Sequence, residues 1–436
     1  MNVELLDIAS FEKIPIISIE DGGQSEVYDI EIDTVHAFNA KNIENGMESV
    51  SHNSAMLSLF NLDDEDMLTC KFGKWYETAP YRARANNSAV ILRHKIEKDV
   101  FLELWEKIKN SGSGEPGFFF TNNAEWLLNP CGEVSLRANQ MCNLTTINAT
   151  NVVDQEDLNN RARMAARIAT LQASYTNFHY LREEWEKTTE KEALIGVSMT
   201  GIATGHVLKL DLEAAAIIVK EENEKIAKLI GINKAARCTV LKPEGTSSLI
   251  VGSSSGIHAW HSKYYVRRIR VGKNEAIYDY LHINHPELIE DEYFKPQTQA
   301  VIMVPQKAPD DAITRDESAL DLLKRVTDVY KRWIVPGHRK GDNHNNVSCT
   351  VTIKPDEWDA VGEWMWKHKD EYTALSVLPA DEHSYIQPPF TDMTKTDYEK
   401  QIKHLHEVDL TKVLETEDGT SLQENLACAG GKCDIV

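Results

Sequence analysis

The amino-acid sequence predicts a mixed α/β fold, and two patterns carry that prediction. Stretches with apolar residues at helical spacing alternate with short apolar and β-branched runs that are typical of strands. Such alternation favours parallel strands connected by helices, in a sheet or a barrel. The chain has 436 residues, which is too long for one ordinary hydrophobic core, so we expect two or three domains.

The predicted elements follow one another through the middle of the chain. Helix-like stretches and strand-like runs alternate there, the helices at residues 156–180, 212–230, 318–333 and 356–369 and the strands at residues 238–241, 300–304, 347–353 and 373–378. Asp211 directly precedes the second helix-like stretch, where a carboxylate can accept the free N–H groups of the first helical turn. We therefore predict that Asp211 is the N-cap of this helix.

Composition and charge exclude several classes of protein. Hydrophobic residues at 42% and charged residues at 26% are typical of a soluble globular protein, and no run approaches the roughly 18 apolar residues of a membrane span. The start of the chain is acidic and does not resemble a signal peptide, so a cytoplasmic location is expected. The net charge of −21 argues against non-specific nucleic-acid binding, because most of the surface would repel phosphates. A nucleotide substrate needs only a local cradle and stays compatible with this charge.

The seven cysteines are an odd number scattered through a long chain, so a disulfide scaffold is not expected. Individual cysteines are instead interpreted as reactive or as ordinary buried residues. No metal site is predicted, because the pair of cysteines near the C terminus has no second pair to complete a metal clip.

Residues 1–53 are predicted to form a small all-β unit that ends in a reactive tripeptide. Short strand-like runs cover residues 14–20 and 26–33, with a turn between them. The unit closes on His52 and Asn53, and Ser54 follows. An asparagine at such a place can cyclise onto its own peptide bond and release the downstream chain, and an adjacent histidine can polarise that bond. A hydroxyl immediately afterwards can act as the acceptor nucleophile.

These residues, together with His36 and the run Val27-Tyr28-Asp29-Ile30-Glu31, resemble the two C-terminal motifs of inteins. The resemblance implies that Asn53 cyclises, that His52 and His36 assist, and that Ser54 is the first residue of the spliced product. The N-terminal intein motifs are absent although the chain opens with methionine, so the simplest interpretation is a split intein whose other part lies on an upstream polypeptide. A surface turn is the alternative explanation for the tripeptide alone.

The strongest chemical signal downstream is Asn129-Pro130-Cys131-Gly132-Glu133. Alternating residues of an extended segment point to one face, so an amide, a thiol and a carboxylate would be presented together. The sulfur can exchange a hydrogen atom, the carboxylate can take a hydroxyl proton, and the amide can hold a second oxygen, which suits radical chemistry at a ribose. A buried free cysteine in a Pro-Gly turn is the alternative for this pentapeptide alone.

The pentapeptide resembles the finger loop of ribonucleotide reductases, whose motif is Asn-x-Cys-x-Glu. The resemblance implies that Cys131 becomes a thiyl radical that removes the 3′ hydrogen of the substrate. Glu133 would be the base on the 3′ hydroxyl, and Asn129 would hydrogen-bond the substrate. Cys142 lies where the family keeps one member of its substrate-reducing thiol pair, whose partner belongs to the upstream half of the family's chain.

The C-terminal tail carries Cys428 and Cys433 in a polar segment with two glycines, which we expect to be mobile. A thiol pair on such a tail can reach a buried disulfide, exchange with it, and swing out to be reduced by a carrier. We therefore predict a redox shuttle to a thioredoxin-like reductant, with a metal clip as the alternative.

A phosphate cradle is predicted after the strand-like run 238–241. Small hydroxyl residues and backbone N–H groups at a helix start bind anions well. The reductase family carries a similar Pro-x-Gly-Thr segment for the substrate phosphates, which implies this role for Pro243, Glu244, Gly245, Thr246, Ser247 and Ser248. An ordinary helix cap is the common alternative for the segment by itself.

The reductase resemblance extends from Ser54 to Val436 and implies the later strands of a ten-stranded α/β barrel with a finger loop. The expected domains are the intein fragment at 1–53, the C-terminal half of the barrel at 54–389, and a helix with the redox tail at 390–436. Matching segments occur in family order and include residues 85–88, 113–117, 345–348 and 376–379.

The class of reductase is inferred from features of the other two classes that the sequence lacks. The paired tyrosines of class I do not occur near residues 373–387, and the tail offers cysteines instead of the glycyl radical of class III. The remaining class uses adenosylcobalamin. The residues in the motifs resemble the triphosphate-reducing branch of this class more than the diphosphate-reducing branch. The expected partners are a ribonucleotide and the upstream reductase fragment, without which the chain is predicted to be inactive. The alternative is a splicing module that carries an inactive reductase passenger.

Overall fold

A computed structural model of the chain describes residues 38–41, 48–51, 56–79, 82, 85–245, 247–293, 295–380, 387–405 and 407–414. The chain divides into two compact units, Met1–His52 and Asn53–Val436. Within the first unit, β1 (Phe38–Lys41) pairs with β2 (Glu48–Ser51) in an antiparallel hairpin in which Phe38 lies opposite Ser51. The strands predicted at residues 14–20 and 26–33 lie outside the described residues.

The second unit alternates helices and strands, as its sequence pattern predicts. Its described helices are α1 (Glu65–Thr69), α2 (Trp75–Thr78), α3 (Lys98–Asn110), α4 (Gln155–Gln172), α5 (Glu183–Glu192), α6 (Leu212–Ile230), α7 (Ser247–Ile250), α8 (Ala276–Asn284), α9 (Ala319–Val329), α10 (Trp358–Lys367) and α11 (Lys395–Leu405). Its described strands are β3 (Met56–Phe60), β4 (Ala85–Leu92), β5 (Gly117–Thr121), β6 (Leu127–Leu128), β7 (Ser135–Leu136), β8 (Asn143–Asn148), β9 (Ile195–Thr200), β10 (Tyr264–Gly272), β11 (Ile289–Asp291), β12 (Gln299–Lys307), β13 (Thr350–Ile353), β14 (Ala374–Pro379) and β15 (Phe390–Asp392).

One main sheet runs through the second unit. Its first part is five-stranded, in the order β13-β14-β5-β4-β3, and every pairing in it is parallel except the one between β14 and β5. The run 238–241 extends the sheet on the other side of β13, because Leu241 pairs with Val347 in parallel. Thr239 pairs in parallel with Val197 of β9, and β9 pairs in parallel with β8. The main sheet therefore extends from β3 at one end to β8 at the other.

Two strands of this sheet, β5 and β9, are buried at every residue, as expected for strands that are covered on both faces. Phe118 and Phe120 of β5 pack against Phe101 and Trp105 of α3, whereas Phe119 packs on the other face with Trp126 and Leu128. On another part of the sheet, α4 and α6 pack against each other through small residues, which allow the two helices to approach closely. These are Ala162, Ala165, Ala166 and Ala169 of α4 and Ala215 and Ala216 of α6.

The prediction of parallel pairing is wrong for the run 300–304. This run lies in β12, which belongs to a separate four-stranded sheet in the order β11-β12-β10-β15 with antiparallel pairing throughout. β10 and β12 pair along their whole length, from Tyr264 opposite Lys307 to Gly272 opposite Gln299. β10 carries arginines among its apolar residues, and an antiparallel sheet tolerates such a strand because one of its faces can meet water.

The helix predictions hold with adjusted ends. α6 begins and ends where the sequence pattern places it, whereas α4 stops at Gln172, before the end of the predicted stretch. The stretch 318–333 forms α9 and then a π-helical turn, Tyr330–Ile334. The predicted N-cap is confirmed, because the Asp211 carboxylate accepts a hydrogen bond from the Ala214 backbone N–H at 3.0 Å. In the part of the chain that the structure describes, no helix combines the length and apolar character of a membrane span.

Replacing Asp211 with alanine tests the N-cap of α6. The change leaves the Ala214 N–H without its acceptor, so we expect the free energy of unfolding to fall by about 1 kcal/mol, measured by urea denaturation. Asp211→Asn keeps a capping oxygen at the same position and should unfold close to the wild-type midpoint. Equal midpoints for the alanine variant and the wild type would contradict the assigned cap.

Candidate active site

The segment 129–134 forms a tight loop between β6 and β7, which pair as a short antiparallel ribbon. Asn129 closes the loop on itself, because its backbone N–H donates to the Val134 carbonyl at 3.2 Å and its Oδ1 accepts from the Val134 N–H at 2.8 Å. Gly132 adopts a positive φ of 77°, a conformation that favours glycine, and its N–H donates to the Asn129 carbonyl. We call this segment the finger loop.

Each of four consecutive carbonyls in the finger loop accepts a hydrogen bond from the surrounding sheet. Asn86 of β4 donates to the Pro130 carbonyl at 3.0 Å, and the Ser348 hydroxyl donates to the Cys131 carbonyl at 2.5 Å. Asn346 supplies the other two bonds, from its Nδ2 to the Gly132 carbonyl and from its backbone N–H to the Glu133 carbonyl, both at 2.9 Å. The finger loop is therefore fixed along its backbone, and its side chains are held in place.

Cys131 is a free, half-buried cysteine on this loop. Burial, and then the negative charge of Glu133, raise the pKa of its thiol to about 11, against a smaller opposite effect of Lys242. At neutral pH the sulfur therefore keeps its proton. A protonated thiol is a poor nucleophile, but it is the form that can give up a hydrogen atom.

Glu133 is completely buried, with 0% of its surface exposed. Neither of its carboxylate oxygens has a hydrogen-bond partner among the described residues. Burial raises the pKa of this carboxyl, and the nearby Asn129 amide and Lys242 ammonium offset the effect in part. Buried carboxyls that lack partners and have raised pKa values are concentrated at functional sites, because they are costly to keep elsewhere.

Cys142 lies just before β8 and packs with Leu136 and Leu144 against the cluster that contains Val134. Burial raises the pKa of its thiol to about 12, and the next contributions come from Glu133, Lys242 and Cys131. The thiol therefore shares one electrostatic neighbourhood with the finger loop. The structure brings Asn129, Cys131, Glu133 and Cys142 together, but the first three lie in a tight turn and not in the extended segment expected from the sequence. Their chemical roles stay predictions.

Most described residues of the predicted phosphate cradle are buried, and several of their polar groups hydrogen-bond one another. Glu244 adopts a positive φ of 57°, and its buried carboxylate accepts hydrogen bonds from the hydroxyls of Thr146 and Ser247. Ser248 is buried, and its N–H and hydroxyl donate to the Glu244 and Gly245 carbonyls. Pro243 is buried as well, so Gly245 and Ser247, both half-buried, are the accessible described residues of the cradle.

Two residues without a predicted role lie at this site. Lys242 lies between the strand 238–241 and the cradle, and its charge lowers the pKa values of Cys131, Glu133 and Cys142. Its backbone N–H donates to the Ser198 hydroxyl at 2.9 Å, whereas its ammonium has no hydrogen bond or ion pair among the described residues. The sequence contains a signal for Lys242, because this residue directly follows the strand-like run 238–241 and ligand-binding residues gather at the carboxyl ends of parallel strands. Asn346 lies in a segment that matches the reductase pattern, but its contact to the loop is invisible in the local sequence.

The remaining predicted site residues lie outside the described residues. They are His36, His52, Asn53, Ser54, Thr246, Cys428 and Cys433. The predicted roles of these residues in splicing, phosphate binding and redox exchange stay predictions.

Comparison with known proteins finds similarity over most of the chain, although no protein-family model matches it. The chain is 25% identical over 415 residues to an adenosylcobalamin-dependent ribonucleoside-triphosphate reductase of Euglena gracilis, covering 87% of this chain and 53% of that protein. It is 24% identical over 440 residues to the protein of the same name from Lacticaseibacillus paracasei, covering 88% and 56%. The chain thus spans about half the length of the curated relatives it matches.

The fold comparison points in the same direction. The crystal structure of a B12-dependent (class II) ribonucleotide reductase superposes with a TM-score of 0.68 at 22% sequence identity, covering 82% of this chain and 54% of that one. This similarity establishes a shared mixed α/β fold with a parallel-strand sheet. Over most of its length the chain is therefore similar in sequence to adenosylcobalamin-dependent ribonucleoside-triphosphate reductases, and it is similar in fold to a class II ribonucleotide reductase.

Proposed function

We propose that residues 54–436 form the C-terminal part of an adenosylcobalamin-dependent ribonucleoside-triphosphate reductase, which makes 2′-deoxyribonucleotides for DNA synthesis. The observation that carries the proposal is the fixed finger loop, with a protonated thiol at Cys131, an unpartnered carboxyl at Glu133 and the thiol of Cys142 nearby. The names of the relatives support the reaction and favour a triphosphate over a diphosphate substrate. The proposal includes the ten-stranded barrel, which the upstream half would complete.

Cys131 is the residue that would face the cofactor. Its high pKa keeps the S–H bond intact at neutral pH, and this is the property that a hydrogen-atom donor needs. Adenosylcobalamin, when bound, would supply the radical that takes this hydrogen atom. The resulting sulfur radical would remove the 3′ hydrogen of the ribose, and the same hydrogen returns to the sugar at the end of the cycle.

Glu133 and Asn129 would hold the two hydroxyls of the ribose. The buried Glu133 carboxylate has no partner among the described residues, so a substrate hydroxyl can occupy that place and lose its proton to the carboxylate. The Oδ1 atom of Asn129 accepts from the Val134 N–H, and its NH₂ group lies close enough to the Glu133 carboxyl to lower the pKa of that group, so this NH₂ group would donate to the substrate oxygen that lies beside Glu133. The cradle at Gly245 and Ser247, with the ammonium of Lys242 beside it, would bind the phosphates.

The reduction needs two electrons and two protons, which a pair of thiols supplies as it becomes a disulfide. The substrate loses its 2′ hydroxyl as water and gains hydrogen at the same carbon. Cys142 is one thiol of the pair, and its partner is expected on the upstream fragment. Cys428 and Cys433 would then reduce this disulfide by thiol–disulfide exchange and pass the oxidation to a thioredoxin-like protein.

Residues 1–53 would join this half to the upstream half by protein splicing. In this proposal Asn53 cyclises, His36 and His52 assist, and Ser54 becomes the residue at the junction. The second candidate function is a splicing module with an inactive reductase passenger. The hydrogen bonds to four finger-loop carbonyls favour the enzyme over the inactive passenger. An inactive passenger would not be under selection to keep these bonds around a free thiol.

The Cys131→Ala variant separates the two candidate functions. In the spliced protein, assayed with adenosylcobalamin, a ribonucleoside triphosphate and a dithiol, it should lower deoxynucleotide formation by more than about 1,000-fold, as removal of a reacting group does. Splicing itself should proceed as in the wild type. Cys70→Ser, which changes a thiol bonded to Asn87, is the matched control and should keep activity. Unchanged reduction by Cys131→Ala would refute the proposed role of the finger loop.

The pH dependence of kcat/KM reports on Glu133. The carboxyl must be ionised to act as a base, and its pKa is raised above the ordinary value of 4.5, so activity should rise with pH through this raised pKa. Because Cys131 keeps its proton until about pH 11, no loss of activity from thiolate formation is expected near neutrality. Lys242→Met removes a charge that favours the carboxylate and should move the acidic limb to higher pH. A limb that stays in place in this variant would contradict the assignment.

Asn53→Ala tests the splicing half of the proposal. Co-expression of the wild-type chain with its upstream fragment should give one ligated product that lacks residues 1–53, detected by intact mass. The alanine side chain cannot cyclise, so the variant should give no free ligated product. Asn110→Ala, a change at the exposed C-terminal end of α3 in the second unit, is the control and should still splice.

A further inference from the structure

Cys142 lies in a segment without regular secondary structure that connects the end of β7 to the start of β8. The residues on both sides of this cysteine are held by the end of α5. The Met141 N–H donates to the Thr189 hydroxyl at 3.2 Å, and the Asn143 N–H donates to the Leu194 carbonyl at 3.3 Å. The last turn of α5 and the residues that follow it therefore determine where the thiol lies.

Gln140 closes this segment into a turn and connects the turn to the last residue of α5. Its Oε1 accepts from the Arg137 N–H at 2.7 Å, and its Nε2 donates to a carboxylate oxygen of Glu192 at 2.9 Å. Gln140 and Glu192 are both buried, with 5% and 7% of their surfaces exposed. Breaking a buried hydrogen bond leaves polar groups unpaired, so the turn 137–140 depends on its bond to Glu192.

The Glu192 carboxylate also balances two guanidinium groups. It pairs with Arg237 at 2.5 Å, and Arg137 lies 3.8 Å from its other oxygen. Burial by itself raises the pKa of the Glu192 carboxyl, but Arg237, Gln140 and Arg137 outweigh this effect and the pKa is lowered. Glu192 is therefore ionised at neutral pH. Arg237 is 1% exposed, and a buried guanidinium that loses its carboxylate partner is strongly destabilising.

Both guanidinium groups lie against the ring of Trp126, Arg137 at 3.9 Å and Arg237 at 4.6 Å. Each contact with the ring is attractive, but the two cations repel each other, and the negative charge of Glu192 offsets this repulsion. Trp126 directly precedes β6, the strand that leads into the finger loop. The ionised Glu192 therefore connects the residue before β6 with the turn that precedes Cys142.

We propose that Glu192 is a positioning residue for Cys142, because its carboxylate holds the turn 137–140 through Gln140 and thereby keeps the thiol in place beside the finger loop. The proposal rests on the proposed function only for the redox role of Cys142. A thiol that forms a disulfide must meet its partner sulfur within a narrow range of distances and angles. A displaced Cys142 would therefore reduce the substrate more slowly.

The full chain with Gln140→Met is the central test. Methionine is close to glutamine in size but cannot donate to Glu192, and the ion pair of Glu192 stays in place, so the variant should fold. We expect the amides of Met141 and Asn143 to exchange hydrogen about tenfold faster than in the wild type, as in a segment that opens locally. The Cys142 thiol should react with iodoacetamide about tenfold faster as well, measured by peptide mass spectrometry, because burial makes a thiol inert.

Two glutamine variants separate this role from a loss of overall stability. Glu192→Gln keeps the size of the side chain but removes its charge, and it should increase amide exchange and Cys142 reactivity in the same way. Glu222→Gln breaks a similar pair between α6 and α4, in which Glu222 lies 2.5 Å from Arg167. This control should lower the free energy of unfolding without changing the reactivity of Cys142. If Glu192→Gln does not fold, the Gln140→Met variant decides the question.

Activity is measured on the spliced protein with adenosylcobalamin, a ribonucleoside triphosphate and a dithiol. Gln140→Met should lower kcat by about tenfold, because a small displacement of a reacting group is costly. The KM for the nucleotide should stay close to the wild-type value, because the phosphate cradle is unchanged. Glu222→Gln should keep both constants.

Three results would overturn the inference. These are unchanged amide exchange and thiol reactivity in Gln140→Met, an equal increase in the Glu222→Gln control, and a more reactive Cys142 with an unchanged kcat. A more reactive Cys142 in the variants, together with a wild-type spliced protein that reduces no nucleotide, would instead refute the proposed function. The dependence of the turn on Glu192 would then remain.

Discussion

The site depends on the backbone hydrogen bonds that hold the finger loop. Four successive carbonyls accept bonds from Asn86, Ser348 and Asn346, which lie on or beside strands of the main sheet. A segment without secondary structure of its own would otherwise leave its buried carbonyls unpaired, at a cost of about 1–3 kcal/mol for each buried group. The sheet therefore determines where the Cys131 thiol and the Glu133 carboxyl lie.

The electrostatics of the site follow from this burial. The loop carries its two acidic groups away from water, and this burial raises the pKa of the Cys131 thiol and of the Glu133 carboxyl, whereas the positive charge of Lys242 lowers both pKa values. The raised pKa has a different chemical consequence for the Cys131 thiol than for the Glu133 carboxyl. A thiol that stays protonated is ready for hydrogen-atom transfer, whereas a carboxyl with a raised pKa accepts a proton readily once it is ionised.

The sequence predicted those features that depend on neighbouring residues. The bounds of α6 and the Asp211 cap follow from helical spacing and one carboxylate, and the finger loop follows from a pentapeptide motif. Features set by distant pairing were missed. The antiparallel partner of the run 300–304 and the hydrogen bonds from Asn346 to Gly132, more than 200 positions away, leave no trace in a local pattern. Local sequence patterns therefore predict where helices and strands lie, whereas contacts between distant residues determine whether strands pair in parallel or antiparallel.

Asn346 also connects the finger loop to the place where strand direction reverses. Its Nδ2 bonds the Ala374 carbonyl at 2.8 Å and its Oδ1 accepts from the Thr373 N–H at 3.0 Å, at the start of β14, the strand that meets β5 in antiparallel pairing. The Asn346 side chain can therefore make all of these hydrogen bonds only when the parallel strands on the two sides of the β14–β5 pairing are correctly aligned. A slip of one residue at this seam would displace the asparagine and the loop together. A sheet that forms out of register would therefore also displace the Cys131 thiol from its place in the finger loop.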